Sequence, residues 1–177
     1  MAFKSTAVLC YVFSGDKVLL QKKAEGLFGG GKWNAPGGKL HNGERVEEAG
    51  LRELVEETGL SASNAYCQGE LEFYCGAQAT ADQLVHVLVC SDTKGSPRGS
   101  REGAVEWFSR TALPLEEMWD DDRYWLPYLL AHRKFVGAFY FTEGYERLVK
   151  FWVSAHPNLV DQTFRCNGHA SIKRKDV

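Results

Sequence analysis

The chain has no CxxC pair among its five cysteines, no apolar run approaching the roughly 20 residues of a membrane span, and no surplus of basic residues. Each absence narrows the field. Cys10, Cys67, Cys75, Cys90 and Cys166 lack the spacing of a zinc ribbon or a redox motif, and several fall in apolar, strand-like stretches. They read as reduced core residues of an intracellular protein. Cys166 and His169 are spaced like half a zinc site, without a second half. With 21 basic and 23 acidic residues the formal charge is -2, which argues against a general nucleic-acid-coating protein but not against a small phosphorylated ligand. The first residues lack a cleavage site and an arginine-rich transit composition, so a cytoplasmic protein that does not bind membranes is expected, and it is read as a monomer. There is no internal repeat, and 177 residues suit one domain with a substantial core.

What the chain does have is concentrated between Gly38 and Leu60, GKLHNGERVEEAGLRELVEETGL. Glu44 to Thr58 has no proline and a good helix composition, with Asn42-Gly43 as a turn before it and Gly59 placed to end it. At about 100° per residue, Glu53, Glu56 and Glu57 fall on one side of that helix. Leu51, Leu54 and Val55 fall on the other, which predicts an apolar stripe against a sheet with the acids pointing away from it. Ala49 and Gly50 lie beside the acids and, being small, would let a bulky ligand approach. Like charges at i, i+3 and i+4 weaken a bare helix, so the arrangement calls for a compensating cation, and carboxylates select a hard one such as Mg²⁺. Arg52 is placed either to hold one of the acids or to contact phosphate. A Glu-rich helix is ordinarily just a solvated face, but the fixed glycines and the Arg52-Glu53 pair set this one apart.

Elsewhere Thr6 to Phe13 and Lys17 to Lys22 read as strands of a hairpin turning at Gly15-Asp16. A glycine-rich loop, Gly26 to Gly31, leads into Trp33-Asn34-Ala35-Pro36-Gly37-Gly38-Lys39. Tyr66 to Cys75, Gln83 to Cys90, Val105 to Phe108 and Phe135 to Phe141 read as further strands, the last of these as the final strand. Thr93 to Gly103 reads as a surface loop, and Asp122 to His132 as a second helix with Pro127 in its first turns. Glu146 to Val153 is a short strand or helix, and a polar tail follows from residue 156 to 177. The order predicts an α/β sandwich with a mixed sheet, occupying residues 1 to 155.

The Gly38–Leu60 string satisfies G-x5-E-x7-R-E-U-x-E-E-x-G-U at Gly38, Glu44, Arg52, Glu53, Leu54, Glu56, Glu57, Gly59 and Leu60, and so resembles the Nudix box. Residues 117 to 141, EMWDDDRYWLPYLLAHRKFVGAFYF, together with GLFGGGKWN before the box, resemble the branch of Nudix enzymes that hydrolyses oxidised purine nucleoside triphosphates, the 8-oxo-dGTP diphosphatase or MutT-homologue group. The resemblance spans about residues 6 to 153. It implies a Nudix α/β/α sandwich. It implies also that Trp119 stacks on the purine, that Asp121 and Asp122 read its Watson–Crick edge, and that Asn34 makes a further base contact. Two neighbouring half-buried carboxylates push each other's pKa apart, so one can donate while the other accepts. A plainer role for Asp120 to Asp122 is to cap the following helix. Phe28 and Phe73 are candidates for the pocket wall, Phe73 equally for the core, while Trp125, Phe139 and Phe141 read as packing. Lys39 is held as a phosphate contact because it follows Gly38; Lys22 and Lys23 read as surface.

By the same resemblance the metal ligands are Glu53, Glu56, Glu57 and Glu102 with the Gly38 carbonyl, for Mg²⁺ or in its place Mn²⁺. Glu53 and Arg52 join the catalytic group, Glu44 supports it, and the general base is Glu56 or Glu102. Two departures from the branch touch the pocket floor: Ala35-Pro36, where its members have glycine and phenylalanine, and Asp120, where proline often follows the Trp. The loop before Phe28 is also one residue longer. Alternatives are a Nudix diphosphatase for ADP-ribose or a dinucleotide, and a catalytically silent nucleotide-sensing module.

Overall fold

A computed structural model describes residues 3–77 and 79–156. The expected tail, with Cys166 and His169, lies outside the described residues apart from His156. β1 (Ser5–Ser14) is the spine of the fold, because its alternate side chains enter two different cores. Ala7 and Tyr11 join one, and Val8, Cys10 and Val12 the other. β1 turns through Gly15, whose φ of 60° suits glycine, into β2 (Lys17–Lys23), giving the expected hairpin.

β3 (Trp33–Asn34), β4 (Gly37–Lys39), β5 (Asn64–Cys75), β6 (Gln83–Ser91), β7 (Gly103–Ser109), β8 (Phe135–Phe141) and β9 (Leu148–Ala155) complete a mixed sheet. Its order is β3-β2-β1-β6-β5-β8-β9, with β4 also paired to β1 and β7 to β2. The pairs β1–β6 and β5–β8 are parallel. Helix α1 (Val46–Thr58) packs on β1, β4, β5 and β6. On the other face Trp125, Leu126 and Leu129 of α2 (Asp122–Leu130) are buried with Tyr11, Phe135 and Phe139, Trp125 stacking on Phe135 at 5.7 Å. The expected α/β/α sandwich is therefore present. No helix among the described residues is long and apolar enough to cross a membrane.

The helix face was misassigned from the sequence. α1 buries Val46, Ala49, Gly50, Glu53, Leu54 and Glu57, while Val55 is exposed and Leu51 only partly covered. Ala49 and Gly50 are small because the helix lies close to the sheet, not to admit a ligand: a Cβ on Gly50 would collide with Leu88 and come within 3.3 Å of Cys10 Sγ. Two of the three acids thus point inward. α1 also starts at Val46 rather than Glu44, since Glu48 folds back to accept the Arg45 N–H at 3.1 Å and Glu44 accepts that of His41 at 2.9 Å. Gly59 ends the helix at φ 70°, as its position requires.

Other differences are local. The sequence assigns no element to residues 33 to 39, because strands of two and three residues such as β3 and β4 carry no visible alternation. Glu146 to Val153 is mostly strand, so β9 and not β8 is last among the described residues. α2 ends at Leu130, and Pro127 lies in its middle on the exposed side, where the missing donor costs least. Gln68, at a bulge in β5, donates to the Leu129 carbonyl at 3.1 Å and so serves the end of that helix.

Candidate functional site

Glu44, Glu53, Glu56, Glu57 and Glu102 are gathered into two groups, each organised by one cation. Arg52 is the centre of the first. Its guanidinium forks onto Glu44 at 2.8 and 2.9 Å, reaches Glu53 at 2.7 Å and Glu56 at 3.3 Å, and donates to the Lys39 carbonyl at 3.3 Å. That fork holds the Glu44 carboxyl down at about 2. Of the two roles open to Arg52, the geometry gives it the holding of acids.

Lys23 is the centre of the second. Its ammonium lies 2.6 Å from Glu57 and 2.9 Å from Glu102, bringing the loop residue to the helix. Glu57 is buried, which pushes its carboxyl up to about 7 against the pull of Lys23, and it shares a hydrogen bond with Glu102 that holds the latter down. The proton belongs to the buried partner. Lys23, read from the sequence as surface, is instead wedged between two acids, and no local signal in the chain announces that pairing.

Both groups lean on β4. The Gly37 N–H donates to Glu57 at 2.7 Å, and a Cβ on Gly38 would strike the Glu53 carboxylate. A Cβ on Gly37 would strike the Val8 carbonyl of β1, which is backbone and cannot yield. Gly37→Ala is therefore expected to destabilise the fold by about 1–3 kcal/mol, read as a lower urea midpoint at unchanged m-value.

The donors assembled here are hard oxygens, with an ammonium held between two of them. That chemistry fits a divalent cation of the Mg²⁺ or Mn²⁺ type.

A cleft runs from this wall to the expected base-reading residues. Lys23, Gly37, Gly38 and Lys39 line one end; Asn34, Trp119, Asp121 and Asp122 line the other, with Phe28, Phe73 and Phe141 along the sides. The sequence-derived base and phosphate residues thus border one cavity, which Arg52 and the four glutamates do not line; Glu53 and Glu57 stand behind its glycine wall. Phe73 has both roles left open for it, stacking on Phe139 at 5.8 Å while bordering the cleft, and Phe141, read as packing, does the same from the core.

Trp119 is held on three sides. Phe28 stacks on it at 5.2 Å, Lys32 lies over the ring at 5.1 Å, and Gly29 leaves room where a Cβ would approach the indole to 3.0 Å. Asp121 and Asp122 are buried side by side. Asp121 accepts from Trp125 Nε1 at 2.9 Å and Asp122 from the Trp119 N–H at 3.0 Å, and Asp121, although it precedes α2, caps no backbone N–H with its side chain. Burial pushes Asp121 up to about 6, and burial together with the neighbouring Asp121 pushes Asp122 well above the usual carboxylate range. Asn34 turns its carbonyl to the Ala35 N–H at 2.8 Å.

Sequence reasoning missed Lys32, Gln21 and Tyr145, which also line the cleft. The Gln21 side-chain nitrogen is buried without a hydrogen-bond partner, a donor that a ligand would satisfy. The suspected pocket-floor changes fare unevenly: Ala35 borders the cleft, but Pro36 does not line it, and Asp120 is exposed, acting on the site only through its charge on Asp121.

The model of the NUDIX domain matches residues 4–129. The oxidized purine nucleoside triphosphate hydrolase of Mus musculus is 38% identical over 136 residues, covering 76% of this chain and 85% of that protein. The protein of the same description from Danio rerio is 37% identical over 143 residues, covering 80% and 89%. Among solved structures, the mutator MutT protein of Bacillus halodurans superposes with a TM-score of 0.75 at 26% identity, covering 86% of this chain and 99% of that one.

Proposed function

Because the chain belongs to the NUDIX family, we propose that it hydrolyses oxidised purine nucleoside triphosphates, such as 8-oxo-dGTP and 2-hydroxy-dATP, to the monophosphate and diphosphate. The observation that carries this reading is the single cleft that joins a buried carboxyl pair and an indole to the glycine wall of the acidic helix. The two relatives described above as oxidized purine nucleoside triphosphate hydrolases support it.

Glu53, Glu56, Glu57 and Glu102, with the Gly38 carbonyl, would hold Mg²⁺, which supplies neutralisation of charge developing on the phosphates. The protein's own groups do the rest. Arg52 fixes Glu53 and Glu56, with Glu44 as its anchor. Glu56 is the general base: its carboxylate is 58% exposed and has one long contact to Arg52, whereas Glu102 is engaged by both Lys23 and Glu57. Lys23 and Lys39 face the phosphates from the end of the cleft.

At the other end Trp119 provides a stacking surface worth about 1–3 kcal/mol for any base, which gives affinity without discrimination. Discrimination falls to hydrogen bonds. Burial holds both carboxyls up, so one of the pair can donate while the other accepts, and moving that proton adapts the edge to a guanine-like or an adenine-like partner. Gln21 and the Asn34 amide add donors, and Lys32 holds the indole in place.

The test is kcat/KM with Mg²⁺ for 8-oxo-dGTP, 2-hydroxy-dATP, dGTP and ADP-ribose, with products identified. A clear preference for an oxidised nucleotide, yielding monophosphate and diphosphate, is expected. Turnover of ADP-ribose alone would move the substrate elsewhere, and tight binding without turnover would leave a sensing module. In the same assay Trp119→Ala is expected to raise KM about 10- to 100-fold for oxidised and normal nucleotides alike.

A further inference from the structure

Outside the cleft lining, a thiol, an imidazole and a carboxylate meet on the α1 side of the sheet. They belong to Cys67 and Glu70 of β5 and His86 of β6. In an unbroken strand, residues three apart point to opposite faces. The bulge changes this. Cys67 pairs with Leu88 and Glu70 with His86, and since Leu88 and His86 are two apart on β6, all three polar side chains share one face.

His86 Nδ1 lies 3.3 Å from Glu70 Oε1 and 3.9 Å from Cys67 Sγ. One donor atom from each residue falls within 4.8 Å of the other two. Cys67 and His86 are buried, and the Glu70 side chain is 16% exposed, which leaves a narrow approach from solvent.

A nucleophilic relay is excluded by the geometry. Such a relay needs the two imidazole nitrogens to face different partners, one the nucleophile and one the orienting acid. Here sulfur and carboxylate both approach Nδ1. Three unlike donors converging on one point is instead the arrangement of a metal centre. Around a tetrahedral zinc, with bonds of about 2.3 Å to sulfur and 2.0–2.1 Å to nitrogen or oxygen, donor atoms stand roughly 3.4–3.6 Å apart. Two of the three observed separations, 3.3 and 3.9 Å, differ from this by a few tenths of an ångström, and the third is within 4.8 Å.

We propose that Cys67, Glu70 and His86 form a zinc site, with solvent at the fourth position, that ties β5 to β6 at the bulge. It is chemically distinct from the glutamate cluster. A thiolate and an imidazole select a borderline-soft transition ion, whereas an all-oxygen set selects Mg²⁺ or Mn²⁺. One chain thus carries two sites that sort cations by the softness of their donors.

The test is titration of the full-length apoprotein with Co²⁺ as the spectroscopic stand-in for zinc, in excess Mg²⁺ to occupy the glutamates. A thiolate-to-cobalt charge-transfer band and tetrahedral visible bands are expected, saturating at one equivalent and bleached by added Zn²⁺. The band should be lost in Cys67→Ser and unchanged in Cys166→Ser, which checks the other cysteine spaced near a histidine. Glu70→Gln, at a partly exposed side chain, keeps the fold if Cys67→Ser does not, and should weaken Co²⁺ binding at least about 10-fold while leaving Mg²⁺-dependent turnover unchanged. No thiolate band in the folded wild-type protein, or a band that follows Cys166 or ignores Glu70, overturns the proposal and leaves a buried Glu70–His86 hydrogen bond beside a packed thiol.

Discussion

Replacing Glu56 by glutamine is expected to lower kcat with Mg²⁺ by about 10²- to 10⁴-fold, the range of a positioned general base, at an unchanged melting temperature. The two halves of that expectation come from the same observation. Glu56 stands on the outward side of α1, more than half exposed, with one 3.3 Å contact to Arg52, so its charge is dispensable to the fold. Its neighbours on the helix are not. Glu53 and Glu57 are buried, and each is held by a cation and by the Gly37-Gly38 wall. Circular dichroism and a melting curve beside the rate separate the two kinds of glutamate. A Glu56→Gln enzyme with more than a tenth of wild-type turnover would transfer the base role to Glu102.

Asp121→Asn should do the reverse, raising stability while spoiling selection. Asparagine can still accept from Trp125 Nε1, so the packing survives. What goes is a buried charge. Burial raises the folded-state pKa of Asp121 to about 6 from an unfolded value of about 3.9, so between these pH values the folded chain binds more protons than the unfolded one. The contribution of this group to stability is therefore complete below about pH 3.9 and is lost as pH rises through about 6. At pH 7 Asp121→Asn should melt several degrees higher than the wild type, a gain on the order of 1–3 kcal/mol, and the gain should vanish on acidification toward pH 4. Selection should suffer meanwhile. The ratio of kcat/KM for 8-oxo-dGTP over dGTP should fall at least about 10-fold, since a fixed amide cannot exchange the proton that the pair shares. Equal loss on both nucleotides would remove Asp121 from base reading, and a gain in melting temperature that persists at low pH would remove the electrostatic account.

The contrast between these residues also explains what could be read before the fold was known. A helix with three acids was visible, because composition, turn and terminal glycine all agree over Glu44 to Thr58. Its packing face was not. Hydrophobic periodicity assigns a carboxylate to water, and only the distant Lys23 and Gly37, and the helix-borne Arg52, make burial of Glu53 and Glu57 tolerable. Long strands such as β5 and β6 were found within two residues, since alternation accumulates over their length. The two-residue β3 and the three-residue β4 that forms the glycine wall carry no such signal. Lys32 was missed for a related reason: it meets Trp119 across 87 positions of chain, and nothing near either residue encodes the meeting. The Asp pair was legible by motif, yet its exclusion from capping became clear only from its partners, Trp125 and the Trp119 N–H.

The cleft draws its two ends from different parts of the chain. The glycine wall and the acids behind it belong to β4 and α1, hydrogen-bonded to the central strand β1 and packed on the sheet. The indole and the carboxyl pair stand at the entrance to α2 and are touched by Phe28, Gly29 and Lys32 from the loop after β2. For descent with modification this is a favourable partition. Substitutions near Ala35 or Phe28 can alter what the far end of the cleft receives while β4 and α1 stay as they are. A change of fit at one end of the cleft and a loss at the other are thereby separable by single substitutions.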